Sequence, residues 1–511
     1  MVRCHRLFST SSPLLKKKQE LLIPGYKLKC GLEIHSQLDT KFKLFSLSKT
    51  SFQSTPNSKI SYFDASLPGT QPLLNPEALL FALKAAKALN STINTFSTFD
   101  RKHYFYGDQP LGYQITQHYQ PYAQGGFLKL LPHDNESITG EKIINIEQIQ
   151  IEQDTGKSIY TELENEAFSK IDLNRTNIPL IEMVTKPDFE TPEEIRCFIK
   201  KYQNLVRHLG ICTGDLETGA MRVDVNISVN NGHRVELKNL STTSSVINAI
   251  KYEYKRQIKL IESGETSKVI QETRGWDGSK TVRLRTKEGA LDYRYMPDPE
   301  LPPIILENGI NESLKLPKLP DELMIELKNA PYNLSNKDAS ILVNDLKLLN
   351  YYFQLFEETV IKNKVESKLP GNWVIHELLG GFTKLQIEFN PNLINVLKLS
   401  ELLISINNEQ ITKSSAKLLL QHLMNNPGDL KRPILELIDD YDLGKESNVD
   451  QDLIGEIINQ VLEEQSEIVE LIKSGKRLNS VKFLVGQCMR LSQGKIKPNI
   501  FEDELKLKLG I

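Results

Sequence analysis

No apolar run in the 511-residue chain approaches the roughly 18 residues that a membrane helix needs, so no membrane span is expected. Cysteine is sparse. The five residues Cys4, Cys30, Cys197, Cys212 and Cys488 show no C-x-x-C spacing, which argues against a zinc ribbon or a disulfide framework and fits a reducing compartment. No repeat of fixed period is visible, and neither a Ser nucleophile elbow nor a kinase signature set appears. The net charge of -2 leaves no globally basic surface, so any nucleic-acid contact must be local. Acid is missing from the first 19 residues. With Arg3, Arg6, Lys16 to Lys18 and a Ser/Thr cluster, that stretch has the composition of a mitochondrial transit peptide, expected over residues 1–20.

A chain of this length can bury large cores, and two to four domains are expected. From Tyr26 to about Arg294, short alternating strands are broken by Gly and Pro turns. Helices are expected at 77–89 behind Asn75-Pro76, at 191–209 behind Thr191-Pro192, and at 243–262. MRVDVNISV, HRVELKNL and KTVRLRT alternate as strands do. The fold class is therefore α+β, with a mostly antiparallel sheet. The run Met296-Pro-Asp-Pro-Glu-Leu-Pro-Pro303 can continue neither a helix nor a central strand, because its prolines lack the N–H and fix φ. It marks a domain boundary, and amphipathic helices follow at 320–329, 336–363 and 371–379, with a further helical set to the C-terminus. The expected divisions are 21–296, 297–397 and 398–511.

Gly31-Leu-Glu-Ile-His-Ser-Gln-Leu38 places Glu33, His35 and Gln37 on one strand face and Leu32 and Ile34 on the other. The carboxylate and imidazole can hold a metal, relay a proton or form a buried hydrogen bond. Ile151 to Ser158 ends in Gly-Lys-Ser, but Ile151 stands where a phosphate loop needs its first glycine; what remains is a strand with Glu152 and Asp154 at alternate positions. Asp100 to Pro110 packs Arg101 and Lys102 among aromatic rings, suited either to phosphates and stacked bases or to a mixed core strand. Arg222, Asp224 and Asn226 share one face of their strand, and Glu236 with Lys238 repeats the arrangement. Arg294 stands at the end of the sheet. This inventory of carboxylate, guanidinium and amide suits phosphoryl transfer, in which oxygen ligands hold Mg²⁺ and cations balance phosphoryl charge.

The ordered segments G-L-E-I-H-S-Q-L, L-P-G-T-Q-P-L-L-N, F-D-R-K-H-Y-F-Y-G-D-Q-P, D-T-G-K-S, D-L-N-R-T-N-I-P-L-I-E-M-V, M-R-V-D-V-N-I-S, V-E-L-K-N-L and D-Y-R-Y-M-P-D-P resemble the B-subunit family of glutamyl-tRNA(Gln) amidotransferases. N-W at 372–373 and F-L-V-G-Q at 483–487 carry the resemblance to the C-terminal region. It implies a cradle-shaped catalytic domain, a helical domain and a small all-α tail that contacts tRNA. It implies ATP and Mg²⁺ as cofactors, γ-phosphorylation of the glutamate on Glu-tRNA(Gln), and amidation with ammonia from a partner glutaminase A subunit, and it leaves open whether a small third subunit is a further partner. With the presequence, it places the chain in the mitochondrial matrix. Carried over position by position, Glu33, His35 and Glu152 are the implied metal ligands, with Asp154 a further catalytic acid. Arg101, Lys102, Asp224, Lys238 and Arg294 surround the ATP and aminoacyl end.

Two departures qualify this. Where many relatives carry a four-cysteine zinc knot, this chain has Ser46, Ser48, Ser61 and Asp64, so no structural zinc is expected. Where relatives read H-x-E-E-D, this chain reads Gln150-Ile-Glu152-Gln153-Asp154, which exchanges a carboxylate for an amide; Leu111 likewise stands where relatives often have Lys. The competing reading is a tRNA-binding scaffold subunit whose own pocket is degenerate. The basic stretch Lys473, Lys476, Arg477, Lys482 and Arg490 suggests a phosphate-contacting surface in the tail.

Overall fold

The computed structural model describes residues 22–51, 53–163, 166–286, 293–444, 451–473, 480–492 and 498–510. The expected transit peptide and the pair Lys476 and Arg477 lie outside the described residues. Two compact units are present, Met1–Leu319 and Pro320–Ile511.

The first unit is built on one large sheet. Its strands are β1 (Leu28–Gln37), β2 (Thr92–Ile93), β3 (Ala123–Gln124), β4 (Phe127–Leu130), β5 (Lys142–Gln153), β6 (Pro179–Thr185), β7 (Met221–Val229), β8 (Val235–Lys238), β9 (Glu272–Trp276) and β10 (Thr281–Thr286). They lie in the order β10-β9-β8-β7-β1-β6-β5-β3-β2, with β4 also paired to β5. Every pairing is antiparallel except that of β8 with β9. The fold is α+β with a mostly antiparallel sheet, as the strand alternation implies. β1 occupies the middle, between β6 and β7.

One face of this sheet is apolar. Leu32 and Ile34 of β1, with Val223 and Val225 of β7, share a core with helices α2 (Pro192–His208) and α3 (Thr243–Glu262). Each fully buried aliphatic side chain there contributes about 1.5–3 kcal/mol. Thr191 starts α2 with a capping box, its hydroxyl accepting from the Glu194 N–H while the Glu194 carboxylate accepts from the Thr191 N–H. Asn75 caps α1 (Pro76–Ala88) by accepting from the Glu77 N–H.

A smaller sheet joins Asp100–His103 to Tyr113–Thr116 and Met296–Pro297. Residues 297–319 stay with the first unit: Leu301, Ile304 and Leu314 belong to its core. The second unit has two separate cores, one from Leu323 to Ile438 and one from Ile454 to Leu509. The helical period read over 336–363 is interrupted, because Asp345 accepts from the N–H groups of Lys347 and Leu348 and so begins a new helix.

Candidate catalytic site

The second face of the sheet is polar, and the register dictates which side chains meet there. Residues directly opposite in an antiparallel pair share a face. His35 of β1 lies opposite Glu182 of β6 on one side and Arg222 of β7 on the other, and Glu33 lies opposite Asp224. Gln150 of β5 is opposite Glu182, and Glu236 of β8 is opposite Asn226. The alternation in β7 is complete: Arg222, Asp224 and Asn226 are half-buried between fully buried Val223, Val225 and Ile227.

Two groups of oxygen and nitrogen donors result. In the first, His35 Nε2 stands 3.6 Å from Glu182 Oε2 and 3.9 Å from Glu152 Oε1. In the second, the carboxylates of Glu33, Asp224 and Glu236 converge within 4.8 Å of one another. The expected set Glu33, His35 and Glu152 is therefore divided: His35 and Glu152 stay together with Glu182 of β6 between them, while Glu33, opposite Asp224 of β7, falls in the second group. Glu182 was absent from the expected site residues. The clue was the lone acid in Pro-Leu-Ile-Glu-Met-Val-Thr185, an ionisable group inside an otherwise apolar strand.

Charge in the first group is strongly polarised. Burial opposes ionisation of Glu182, yet His35, Lys102 and the amide of Gln150, which donates at 2.6 Å, hold its carboxyl at about 2. Burial raises the Glu152 carboxyl, and the cations Lys102 and His35 only partly offset that. Burial alone would lower the His35 imidazole, but Glu182 and then Glu152 outweigh it and raise the pKa. Burial also acts to lower Lys102, and the same two carboxylates reverse it. Glu182 thus carries negative charge, and Glu152 is the more readily protonated partner.

Lys102 reaches this group from the small sheet, where it pairs with Gln114. Gln114 Nε2 donates to Glu152 Oε1 at 2.5 Å, and Tyr104 donates its hydroxyl to Gln114 Oε1 at 3.1 Å. Lys102 lies over the Tyr293 ring, 5.1 Å from its centre. Arg101, one residue earlier, points the other way. Its guanidinium is bound to Asp298 at 2.6 Å and Glu300 at 3.0 Å and stacks on Tyr113, so the expected phosphate cation is a clamp on the Pro-Asp-Pro-Glu300 segment. Arg294 is exposed with a left-handed φ of 41°, and its carbonyl contacts His103 Nδ1 at 2.9 Å.

Asp154 also has a different role from the expected one. Its carboxylate accepts from Gln37 Nε2 at 2.9 Å and from Arg222 at 3.0 Å, with Arg175 at 3.7 Å. Burial would raise it, but the two guanidiniums keep its carboxyl below the usual carboxylate range. Asp154 holds Arg222 in place at the end of the polar face. In the second group, Glu33 accepts from Asn226 Nδ2 at 2.8 Å, while Lys238 bridges Asp224 at 2.9 Å and Glu236 at 3.0 Å. Burial first, and then Glu182, raise the Glu33 carboxyl.

The amide exchanged for a carboxylate does not face either group. Gln153 follows Glu152 in β5 and so points to the opposite side, where it is fully buried. Leu111 packs partly buried against the core of the first unit.

Residues 28–312 match the GatB/GatE catalytic domain, and residues 354–509 match the GatB domain. This chain belongs to the GatB family. It is 51% identical over 516 residues, covering all of both chains, to the B subunit of the mitochondrial glutamyl-tRNA(Gln) amidotransferase of Scheffersomyces stipitis. Identity to the protein of the same name from Debaryomyces hansenii is 51% over 489 residues, 94% of each chain. The one from Lachancea thermotolerans is 52% identical over 517 residues, covering 96% of this chain and 94% of the relative. All of the polar face just described lies within the GatB/GatE catalytic match.

Proposed function

We propose that this chain activates the γ-carboxylate of glutamate on Glu-tRNA(Gln) with ATP and completes its amidation, serving mitochondrial translation with ammonia that a partner glutaminase supplies. The observation that carries the reading is the His35, Glu152 and Glu182 group with Lys102 and Arg222 at its margins, in a chain whose full-length relatives carry the amidotransferase name.

Mg²⁺ fits the donor set. Glu152 Oε2 is buried and makes no hydrogen bond among the described residues, and His35, Glu152 and Glu182 each offer a donor atom to one point. These three residues would hold the ion, which supplies positive charge against the polyphosphate when bound. In the first step an oxygen of the γ-carboxylate attacks the γ-phosphorus; an O–P bond forms as the bond to ADP breaks. Lys102 and the Asp154-held Arg222 face the phosphoryl charge and limit its cost. In the second, ammonia nitrogen attacks the acyl carbon, phosphate leaves with the C–O electron pair, and the nitrogen gives up a proton. A carboxylate and ammonia at neutral pH form only a salt, so activation must come first.

The exchange at Gln153, which with Leu111 motivates the degenerate-pocket reading, removes no donor from the polar face. The decisive experiment is ADP release by the assembled complex. It should require both ATP and Glu-tRNA(Gln) and fall at least 100-fold in Glu152→Gln; equal release without the tRNA, or by the variant, refutes the assignment. We further propose that the tail unit contacts the tRNA body through Lys482 and Arg490, which lie on the helix Val481–Leu491. Neutralising both should flatten the salt dependence of tRNA binding by about two units of slope.

A further inference from the structure

From Asp39 to Asn75 the described chain forms neither helix nor strand beyond the isolated bridge Phe42 with Lys49, yet Leu44, Phe45 and Phe63 are buried in the core. An irregular segment of this length inside a compact unit needs something to pin it. At its centre Lys43 Nζ and Asp64 Oδ2 meet at 3.0 Å, and both side chains are wholly buried. The carboxylate is saturated. Besides Lys43 it accepts from the Ser61 N–H at 2.8 Å, from Asn177 Nδ2 at 3.1 Å and from Ser46 Oγ at 3.2 Å. Lys43 also donates to the Leu173 carbonyl at 3.3 Å.

Ser46, Ser61 and Asp64 are among the positions that the resemblance sets against a zinc knot of many relatives. They do not fit a metal: there is no thiolate, and the one carboxylate already has a full set of donors. Asn177 then links the loop to the catalytic face. While its side chain holds Asp64, its carbonyl accepts from the Leu44 N–H and its own N–H donates to the Asp154 carbonyl, each at 2.8 Å.

We propose that the buried Lys43 and Asp64 pair is a metal-free latch for this loop, and that through Asn177 it acts as a positioning device for Asp154 and hence for Arg222. The part that concerns turnover rests on the proposed function; the latch itself does not. Removing one member of a buried pair leaves an uncompensated charge, which is what makes the pair testable. Burial already lowers the Lys43 ammonium despite Asp64 and the more distant Asp172. In Lys43→Met, Asp64 keeps its hydrogen bonds from Ser46, Ser61 and Asn177 but loses the Lys43 cation, and the loop loosens. In Asp64→Asn, Lys43 is the unpaired member, with Asp172 the remaining carboxylate near it. Its folded pKa falls further, so the loop tightens as pH rises.

The assembled complex carrying each variant is digested with trypsin, which can cut at Lys49 and Lys59, and ADP release is measured beside it. Expected are cleavage at least tenfold faster in both single variants, slowing relative to the parent as pH rises in Asp64→Asn, and no effect of a zinc chelator on the parent. kcat should fall at least tenfold with KM for tRNA within twofold, and Lys43→Arg should recover most of it. A loop opened by chelation overturns the metal-free reading, while unchanged cleavage in the two variants, or cleavage of Asp64→Asn that quickens relative to the parent as pH rises, overturns the latch. Fast cleavage with unchanged kcat overturns the positioning of Asp154. Where a single variant does not fold, Lys43→Met with Asp64→Leu should restore a folded chain whose cleavage is independent of pH, and failure to do so also counts against the latch. Digestion and chelation need no turnover, so they stay readable if the parent shows no tRNA-dependent ADP release.

Discussion

Glu182→Gln tests how the catalytic face is assembled, because it removes one charge while keeping the side chain's shape. Unit charges 3.6 Å apart in an effective dielectric of about 20 attract by about 5 kcal/mol, so Glu182 dominates the local field at His35. The loss in cation binding should be smaller than that figure. Glutamine keeps one oxygen donor, and Glu152 and His35 remain. Mg²⁺ binding about 10- to 100-fold weaker is expected, about 1.4–2.7 kcal/mol. The assay is ADP release at saturating ATP and Glu-tRNA(Gln), titrated against free Mg²⁺. The half-activation point should move up by that factor, with most of kcat recovered at high Mg²⁺. Glu236→Gln is the matched control: it removes a carboxylate that Lys238 already neutralises at 3.0 Å, and should move the half-point by less than threefold. An unmoved half-point in Glu182→Gln, or a larger shift in Glu236→Gln, would show that the cation is not held on the His35 side of β1.

Gln153→Glu puts in the carboxylate that the resemblance implies there, in a buried site facing away from both donor groups. It should leave the Mg²⁺ half-point unchanged and lower unfolding free energy by about 3 kcal/mol in denaturant titration. Arg101→Ala should lower the midpoint of thermal unfolding, through loss of its bonds to Asp298 and Glu300, while KM for ATP stays within twofold; a large rise in KM would return Arg101 to the nucleotide site. Asp154→Asn should cut kcat on the order of 100-fold through displacement of Arg222, with little change in Mg²⁺ requirement, since Asp154 belongs to neither donor group.

What could be read from sequence was whatever depends on near neighbours along the chain. The period-two pattern of Met221–Val229 and the start signals at Asn75 and Thr191 are local, and the strand and both helices form within a residue or two of the expected limits. Gln153 could have been placed by the same rule, because consecutive strand residues face opposite ways. Pairing between distant strands was not legible. Nothing in Gly31 to Leu38 says that Pro179–Thr185 will lie on one side of it and Met221–Val229 on the other, yet the first neighbour puts Glu182 at His35 and the second puts Asp224 at Glu33. The fate of Arg101 was hidden for the same reason, since its partners stand nearly 200 residues away. The loop latch likewise joins Lys43 to Asp64 across a segment with no periodicity to read.

The central place of β1 explains why the two donor groups come as a pair. Glu33 belongs to one and His35 to the other, and two residues of extended chain hold their backbones about 7 Å apart. Because β1 is hydrogen-bonded on both sides, that spacing is fixed by the ladders to β6 and β7 together. A slip of one residue would turn Glu33 and His35 into the helix-covered core and bring Leu32 and Ile34 out to the polar face. The apolar side of the strand therefore enforces the register that the polar side requires. An edge strand, held by one ladder only, would not fix both groups at once, which is a physical reason for the motif to occupy the middle of the sheet.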